Sequence, residues 1–165
     1  MKSKLRSAVW AIIAVLSLPT CFTLYARLPA QSTKDELTRL AKEATGIRIV
    51  TSAFTADHKY EKVVLADISN RVDVANFFET LRVEPSIGQA FGLQCGCSGD
   101  FTVMVSGSGE TLSEISLHHG LRVRVPNTTM GDARLEPDAA YELGIWLTEH
   151  EIIKKKNELL IQPAT

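Results

Sequence analysis

Hydrophobic residues recur at helical spacing in three parts of the chain. In residues 34–45, and again after Asn70, apolar side chains step i, i+3, i+4, i+7, which predicts two amphipathic helices. A capping-box pattern opens at Thr33, and Gly46 is predicted to end the first helix. Pro137 is predicted to open a third helix. The apolar face of that helix carries Ala139, Leu143, Trp146, Leu147 and His150.

Apolar, β-branched or alternating stretches predict strands between these helices. We expect about six strands, at residues 47–54, 62–68, 91–95, 101–106, 111–118 and 121–125. Short polar or glycine-containing turns separate several of them, which is typical of antiparallel hairpins. The predicted fold is therefore α+β, with an antiparallel sheet of about six strands and helices on one face.

The amino terminus carries an export signal. Arg6 and Arg27 bracket 20 uncharged residues, 7–26, a length that spans a bilayer core of about 30 Å as a helix. Lys2 and Lys4 add positive charge before this stretch, so the amino terminus is predicted to stay in the cytoplasm. The membrane is then the partner of residues 7–26, and the rest of the chain faces the periplasm or the cell exterior.

Three interpretations of this stretch remain open. It is an uncleaved single-pass anchor, a cleaved signal peptide, or a lipoprotein signal with Cys21 as the lipidated residue. All three divide the chain into residues 1–30, a signal or anchor with a short linker at 27–32, and an exported α+β domain at 31–165. The exported domain is thus anchored at the inner membrane, or periplasmic or secreted after cleavage.

Charge and cysteine content exclude two classes of protein. All 19 acidic residues follow residue 30, whereas four of the 18 basic residues precede it. A domain with this acidic excess is a poor nucleic-acid binder, because such binding depends on clustered lysine and arginine. Three cysteines in 165 residues are too few for a disulfide scaffold.

The strongest candidate site joins two cysteines to two histidines. Cys95 and Cys97 lie in a glycine-rich stretch, and His118 and His119 follow the next predicted hairpin. Register counting about the turn at residues 106–109 places Cys97 opposite His118 or His119. Side chains that are directly opposed on neighbouring strands lie within contact distance, so sulfur and imidazole are expected to meet.

Four interpretations of this group remain open. Burial of the cysteines without any cofactor is the leading one, because cysteine is among the most buried residue types. Zinc and copper(I) both accept thiolate and imidazole ligands. A disulfide between Cys95 and Cys97 would suit an oxidising compartment, although its ring would be strained. Neighbouring strand residues point to opposite faces, so His118 and His119 cannot both be ligands without a local twist.

Other candidate residues carry weaker signals. Arg122 and Arg124 share one face of a predicted strand and are candidates for an anionic ligand, with a solvated sheet face as the alternative. No pairing of a nucleophile with a base is recognisable, so no catalytic residue is assigned and an enzyme is not favoured.

From Cys95 to about His150 the chain resembles a poorly characterised family of small bacterial proteins. The shared outline is Cys-x-Cys-x-Gly-Asp at 95–100, His-His-Gly at 118–120, Asp-Ala-Arg-Leu at 132–135 and Trp-Leu at 146–147. The resemblance implies one structural unit and no established activity. We expect a non-enzymatic binding module for a protein or small ligand. The alternative is a metal-binding or thiol-redox protein that uses the cysteines and histidines.

Overall fold

A computed structural model describes residues 27–54, 60–86, 89, 91–97, 99–128 and 131–154. The predicted signal or anchor at 7–26, with Cys21, lies outside the described residues, as does the stretch at 55–59 between the first two predicted strands. No helix among the described residues has the length and apolar character needed to cross a membrane.

The described residues contain three helices of nine residues or more and seven strands. Helix α1 covers residues 27–43, α2 is Arg71–Glu79 and α3 is Pro137–Glu149. The strands are β1 Gly46–Phe54, β2 Tyr60–Ile68, β3 Val83–Glu84, β4 Phe101–Gly107, β5 Glu110–His118, β6 Arg122–Arg124 and β7 Ala133–Leu135.

All seven strands form one antiparallel sheet in the order β2-β1-β4-β5-β6-β7-β3. This confirms the predicted α+β class and the β1–β2 hairpin. Buried apolar residues stand opposite one another across the sheet, as Ile47 does with Val105 and Leu117 with Val123. Paired residues share a face, so these apolar positions form one continuous surface.

The helices cover this apolar surface. Leu40 of α1, Phe77 of α2 and Leu143 of α3 belong to the same buried cluster as the inward strand residues. Helix α2 begins as predicted, with the Asn70 side chain accepting the backbone N–H of Val72 at 2.9 Å. One face of the sheet therefore carries the core.

Helix α1 begins earlier than its sequence pattern predicts. Residues 27–32, expected as a linker, are helical, and the Thr33 hydroxyl donates to the Pro29 carbonyl at 3.2 Å instead of capping the helix. Ala30 is buried, and the side-chain amide of Gln89 donates to both Pro29 and Thr33. These tertiary contacts extend the helix, and Gly46 opens β1 without a positive φ.

One strand prediction was wrong and two short strands were missed. Residues 91–95 form no strand, whereas β3 and β7 have two and three residues, too few to produce a recognisable alternation. In the β4–β5 turn, Ser108 and Gly109 have positive φ, whereas Gly107 belongs to β4.

Candidate metal centre

Strand β5 carries the first site residue on the face of the sheet opposite the helices. Leu117 is buried in the core, so the next residue, His118, projects from the other face. His118 is nevertheless fully buried, at 0% exposure. Residues 91–97, hereafter the cysteine segment, have no regular secondary structure and contact this imidazole through Cys97.

The turn after β5 brings the second histidine back toward the first. His119 and Gly120 have φ of 53° and 61°, and the Leu121 N–H donates to the His118 carbonyl at 3.2 Å. Two successive left-handed residues are typical of a tight hairpin turn, and histidine tolerates this conformation better than most side chains do. This turn supplies the local twist that a regular strand lacks, so both imidazoles reach the cysteines.

Four side chains form the site, and we call them the thiol–imidazole cluster: Cys95, Cys97, His118 and His119. Cys97 Sγ lies 3.2 Å from His118 Nδ1 and 3.5 Å from His119 Nε2, and Cys95 Sγ lies 3.3 Å from the same His119 atom. One ligand atom each from Cys95, Cys97 and His118 falls within a mutual distance of 4.8 Å. The structure therefore brings together all four residues that the sequence singled out.

The predicted strand register does not produce this contact. Strand β4 begins at Phe101, which pairs with Leu117, so Cys97 lies outside the sheet. Gly99 redirects the chain with a φ of +87° and approaches β5 so closely that a Cβ there would lie 2.9 Å from the Leu117 carbonyl oxygen. The cysteine segment thus folds over the sheet instead of extending β4.

An ion pair fixes the backbone of the cysteine segment. Asp132 accepts the Cys95 N–H at 2.8 Å and the Arg124 Nε at 2.7 Å, and the Arg124 guanidinium also donates to the Cys95 carbonyl at 2.8 Å. The Asp132 side chain is completely buried. Both polar backbone groups of Cys95 are therefore held by one charged pair.

Arg124 is thus engaged inside the protein, whereas Arg122 is exposed on the same strand. Both arginines were predicted from the sequence as candidates for an anionic ligand, whereas Asp132 was not predicted as a site residue. The only available signal for Asp132 was its place in the shared outline of residues 132–135.

The two thiols have different electrostatic surroundings. Hydrogen bonds to the Cys95 sulfur, first from the Cys97 thiol and then from the Cys97 N–H and His119, lower the pKa of Cys95 to about 7. Burial and the neighbouring Cys95 raise the pKa of Cys97. One thiolate is therefore accessible near neutral pH, and the cluster can hold a proton on the second sulfur.

Burial lowers the pKa of His118, which favours the neutral imidazole with a lone pair for a ligand. His118 Nε2 and His119 Nδ1 are buried without a hydrogen-bond partner among the described residues. Asp100 approaches His119 Nδ1 only to 3.9 Å, beyond hydrogen-bond distance. The cluster therefore combines sulfur and imidazole nitrogen donors, the set that zinc and copper(I) prefer.

Cys95 and Cys97 are free thiols in the structure. Comparison of the chain with protein-family models, curated proteins and solved structures found no match.

Proposed function

We propose that this domain binds a soft d¹⁰ cation, Zn²⁺ or Cu⁺, through the thiol–imidazole cluster. The observation that carries the proposal is the convergence of two sulfurs and two imidazole nitrogens from sequence positions more than 20 residues apart, with sulfur–nitrogen distances of 3.2–3.5 Å. In a tetrahedral zinc site with Zn–S of about 2.3 Å and Zn–N of about 2.0–2.1 Å, neighbouring sulfur and nitrogen ligands lie about 3.5 Å apart. The sulfur–nitrogen contacts of the cluster already have this spacing, and the ligand atoms of Cys95, Cys97 and His118 lie within 4.8 Å of one another.

The charges of the cluster also suit such a cation. Two thiolates would neutralise Zn²⁺, and the buried His118 adds a neutral donor. The Arg124–Asp132 pair would hold Cys95 in place, as the outer hydrogen bonds of metal sites commonly do. Plain burial of small side chains explains less, because both cysteines are partly exposed and their sulfurs contact imidazole nitrogens.

Metal analysis of the full-length protein tests the proposal. Reduced protein, with Cys21→Ser as the common background, should bind one Zn²⁺ or Cu⁺ per chain and give a sulfur-to-metal charge-transfer band with Co²⁺. Cys97→Ser and His118→Gln should each weaken affinity at least about tenfold, the usual minimum loss for a disturbed metal site. Thr128→Ser, outside the cluster, is the control. No binding, or equal affinity in all variants, would overturn the proposal.

We also propose that the domain is exported and tethered or released through residues 7–26. The support is the uncharged stretch with its basic flank. A reporter fused after Thr165 should be active only outside the cytoplasm. Replacing Lys2, Lys4 and Arg6 by Glu should reduce that activity, since orientation depends on the positive flank. Activity of the fusion in the cytoplasm would contradict this location.

A second candidate function is partner binding beside the cluster. Phe91 and Leu93 precede Cys95 and are 60% and 58% exposed, and Leu121 after the histidine turn is 40% exposed. Large apolar side chains on a polar face favour a protein contact. Replacing Phe91 and Leu93 by Ser should abolish such an interaction without changing metal affinity, which separates the two functions.

A further inference from the structure

We propose that Cys95 and Cys97 also act as a dithiol–disulfide couple that exchanges with a small-molecule disulfide, and that oxidation releases the bound cation. The exchange activity stands on the geometry of the two cysteines alone. The release step rests on the proposed metal binding. Disulfide formation and zinc release are measured separately, so the failure of one is distinguishable from the failure of the other.

The backbone between the cysteines already bends in the direction that a Cys95–Cys97 disulfide ring requires. The Cys97 N–H points at the Cys95 sulfur at 3.4 Å, and both sulfurs belong to the set of ligand atoms within 4.8 Å of one another. A disulfide needs the sulfurs about 2.05 Å apart. Closure therefore requires a shift within the segment and no rearrangement of the sheet.

The backbone flexibility needed for that shift lies at Gly96. Gly96 is exposed, and a Cβ at this position would meet nothing within 4 Å. Cys95, by contrast, has its N–H bound by Asp132 and its carbonyl bound by Arg124. Cys97 is the partner that can rotate about Gly96, while Cys95 stays in place.

The contacts of the two sulfurs assign their order in the reaction. The Cys97 sulfur lies against both imidazoles, whereas the Cys95 sulfur contacts one imidazole, that of His119, and the Cys97 N–H, so Cys95 is the thiol less enclosed by side chains. Cys95 is therefore the attacking residue and Cys97 the resolving residue. This order matches the general pattern in which the accessible thiolate reacts first.

The exchange can be written for oxidised glutathione as the disulfide. The Cys95 thiolate attacks one sulfur, the glutathione S–S bond breaks, and one glutathione thiolate leaves. The Cys97 thiolate then attacks the Cys95 sulfur of the mixed disulfide, and the second glutathione thiolate leaves. The protein loses two electrons and the glutathione disulfide gains them. Neither disulfide sulfur is then a thiolate, so a cation held by the cluster loses both anionic ligands.

The test uses full-length Cys21→Ser protein loaded with Zn²⁺ and treated with oxidised glutathione. We expect one zinc released per chain, two glutathiones formed, a mass lower by two hydrogens, and no intermolecular dimer. Reduction with dithiothreitol should restore zinc binding. Thr128→Ser, outside the cluster and the segment that must move, should behave like the parent protein and serves as the matched control.

Two single variants test the order of attack in metal-free protein. Cys97→Ser should stop at a stable mixed disulfide on Cys95 and release one glutathione. Cys95→Ser should react at least about tenfold more slowly, because Cys97 is the more enclosed sulfur. Equal rates would overturn the assigned order.

Zinc that stays bound while both thiols remain titratable would overturn the whole inference. A Cys95–Cys97 disulfide that forms without zinc release would overturn the release step. A disulfide that forms in a chain that never bound zinc would overturn the proposed function and leave the exchange activity standing. A chain that forms only intermolecular disulfides would refute the couple itself.

Discussion

Arg124 and Asp132 form an ion pair, 2.7 Å from Nε to Oδ1, on the face of the sheet opposite the helices. The pair joins β6 to the residue just before β7 and holds Cys95 by both its N–H and its carbonyl. The position of the first thiol is therefore set by a contact between side chains that contain no sulfur and would not touch a cation. We expect this pair to control both stability and metal affinity.

Asp132→Asn should lower the free energy of unfolding by about 1–3 kcal/mol, because the buried Arg124 contact loses its charged acceptor. Urea denaturation at pH 7 measures this loss. Asp67→Asn is the matched control, since Asp67 pairs with Arg48 at the surface with 57% of its side chain exposed, and such pairs contribute less than about 1 kcal/mol. Equal losses of stability in the two variants would contradict the stabilising role assigned to the Arg124–Asp132 pair.

The same carboxyl should make stability pH-dependent. Burial alone raises the pKa of Asp132, but hydrogen bonds from Arg124 and the Cys95 N–H outweigh it and hold the pKa below its ordinary value. The carboxylate therefore stabilises the fold above the unfolded-state pKa of about 4, and this contribution is lost as the pH falls through the folded-state pKa. Between pH 7 and pH 3, the free energy of unfolding measured by denaturation should decline less in Asp132→Asn than in the parent protein.

The two thiols should react with alkylating agents at different pH. With a pKa of about 7, Cys95 in the metal-free Cys21→Ser protein should reach half of its maximal rate with iodoacetamide near that pH. Cys97, whose pKa is raised, should need more alkaline solution. Peptide mapping by mass spectrometry distinguishes them, and identical profiles would refute the asymmetry. Added Zn²⁺ should protect both.

Gly99 should tolerate a methyl group less well than another glycine of the same conformation. Gly99 and Gly109 have φ of +87° and +86°, but a Cβ at Gly99 would lie 2.9 Å from the Leu117 carbonyl oxygen, whereas one at Gly109 meets nothing within 4 Å. Both alanine variants should lose about 1–2 kcal/mol to the left-handed backbone. Gly99→Ala alone should lose more stability than this, and it alone should weaken metal affinity. Indistinguishable variants would show that the close approach is unimportant.

The helical core should be sensitive to truncation at α3. Leu143 is fully buried, so Leu143→Ala should cost about 2–5 kcal/mol, measured by thermal or chemical denaturation. Val72 in α2 is 64% exposed, and Val72→Ala should stay within about 0.5 kcal/mol. A loss below about 0.5 kcal/mol for Leu143→Ala would show that the apolar face of α3 does not support the core.

Periodicity predicted the elements that are long and half-buried. The helices α2 and α3, the Asn70 cap and the β1–β2 hairpin could be predicted, because each pattern extends over several residues. The start of α1 could not, because the buried position of Ala30 and the contacts of Gln89 depend on tertiary packing. Strand β7, with three residues, is too short for its alternation to stand out.

The candidate residues of the site could be chosen from the sequence, but their arrangement could not. Counting register along a continued β4 placed Cys97 near the histidines, and the structure places it there by a different path. The left-handed residues Gly99 and His119 cause the difference, since each redirects the chain where a strand was assumed. Asp132 could not be chosen, because its partner Arg124 is identified only by the β6–β7 pairing.

The strand order also has a kinetic consequence. Strands β4, β5 and β6 each pair with the next strand along the chain, whereas Ile47 of β1 must find Val105 of β4 across α2 and the cysteine segment. Short loops close at lower entropic cost than long ones, so the β4–β7 meander should become protected from hydrogen exchange first during refolding. The strands that carry the imidazoles and Arg124 would then form before β1 and α1 dock. The rate-limiting step of folding would lie in the half of the sheet that carries none of the candidate ligands.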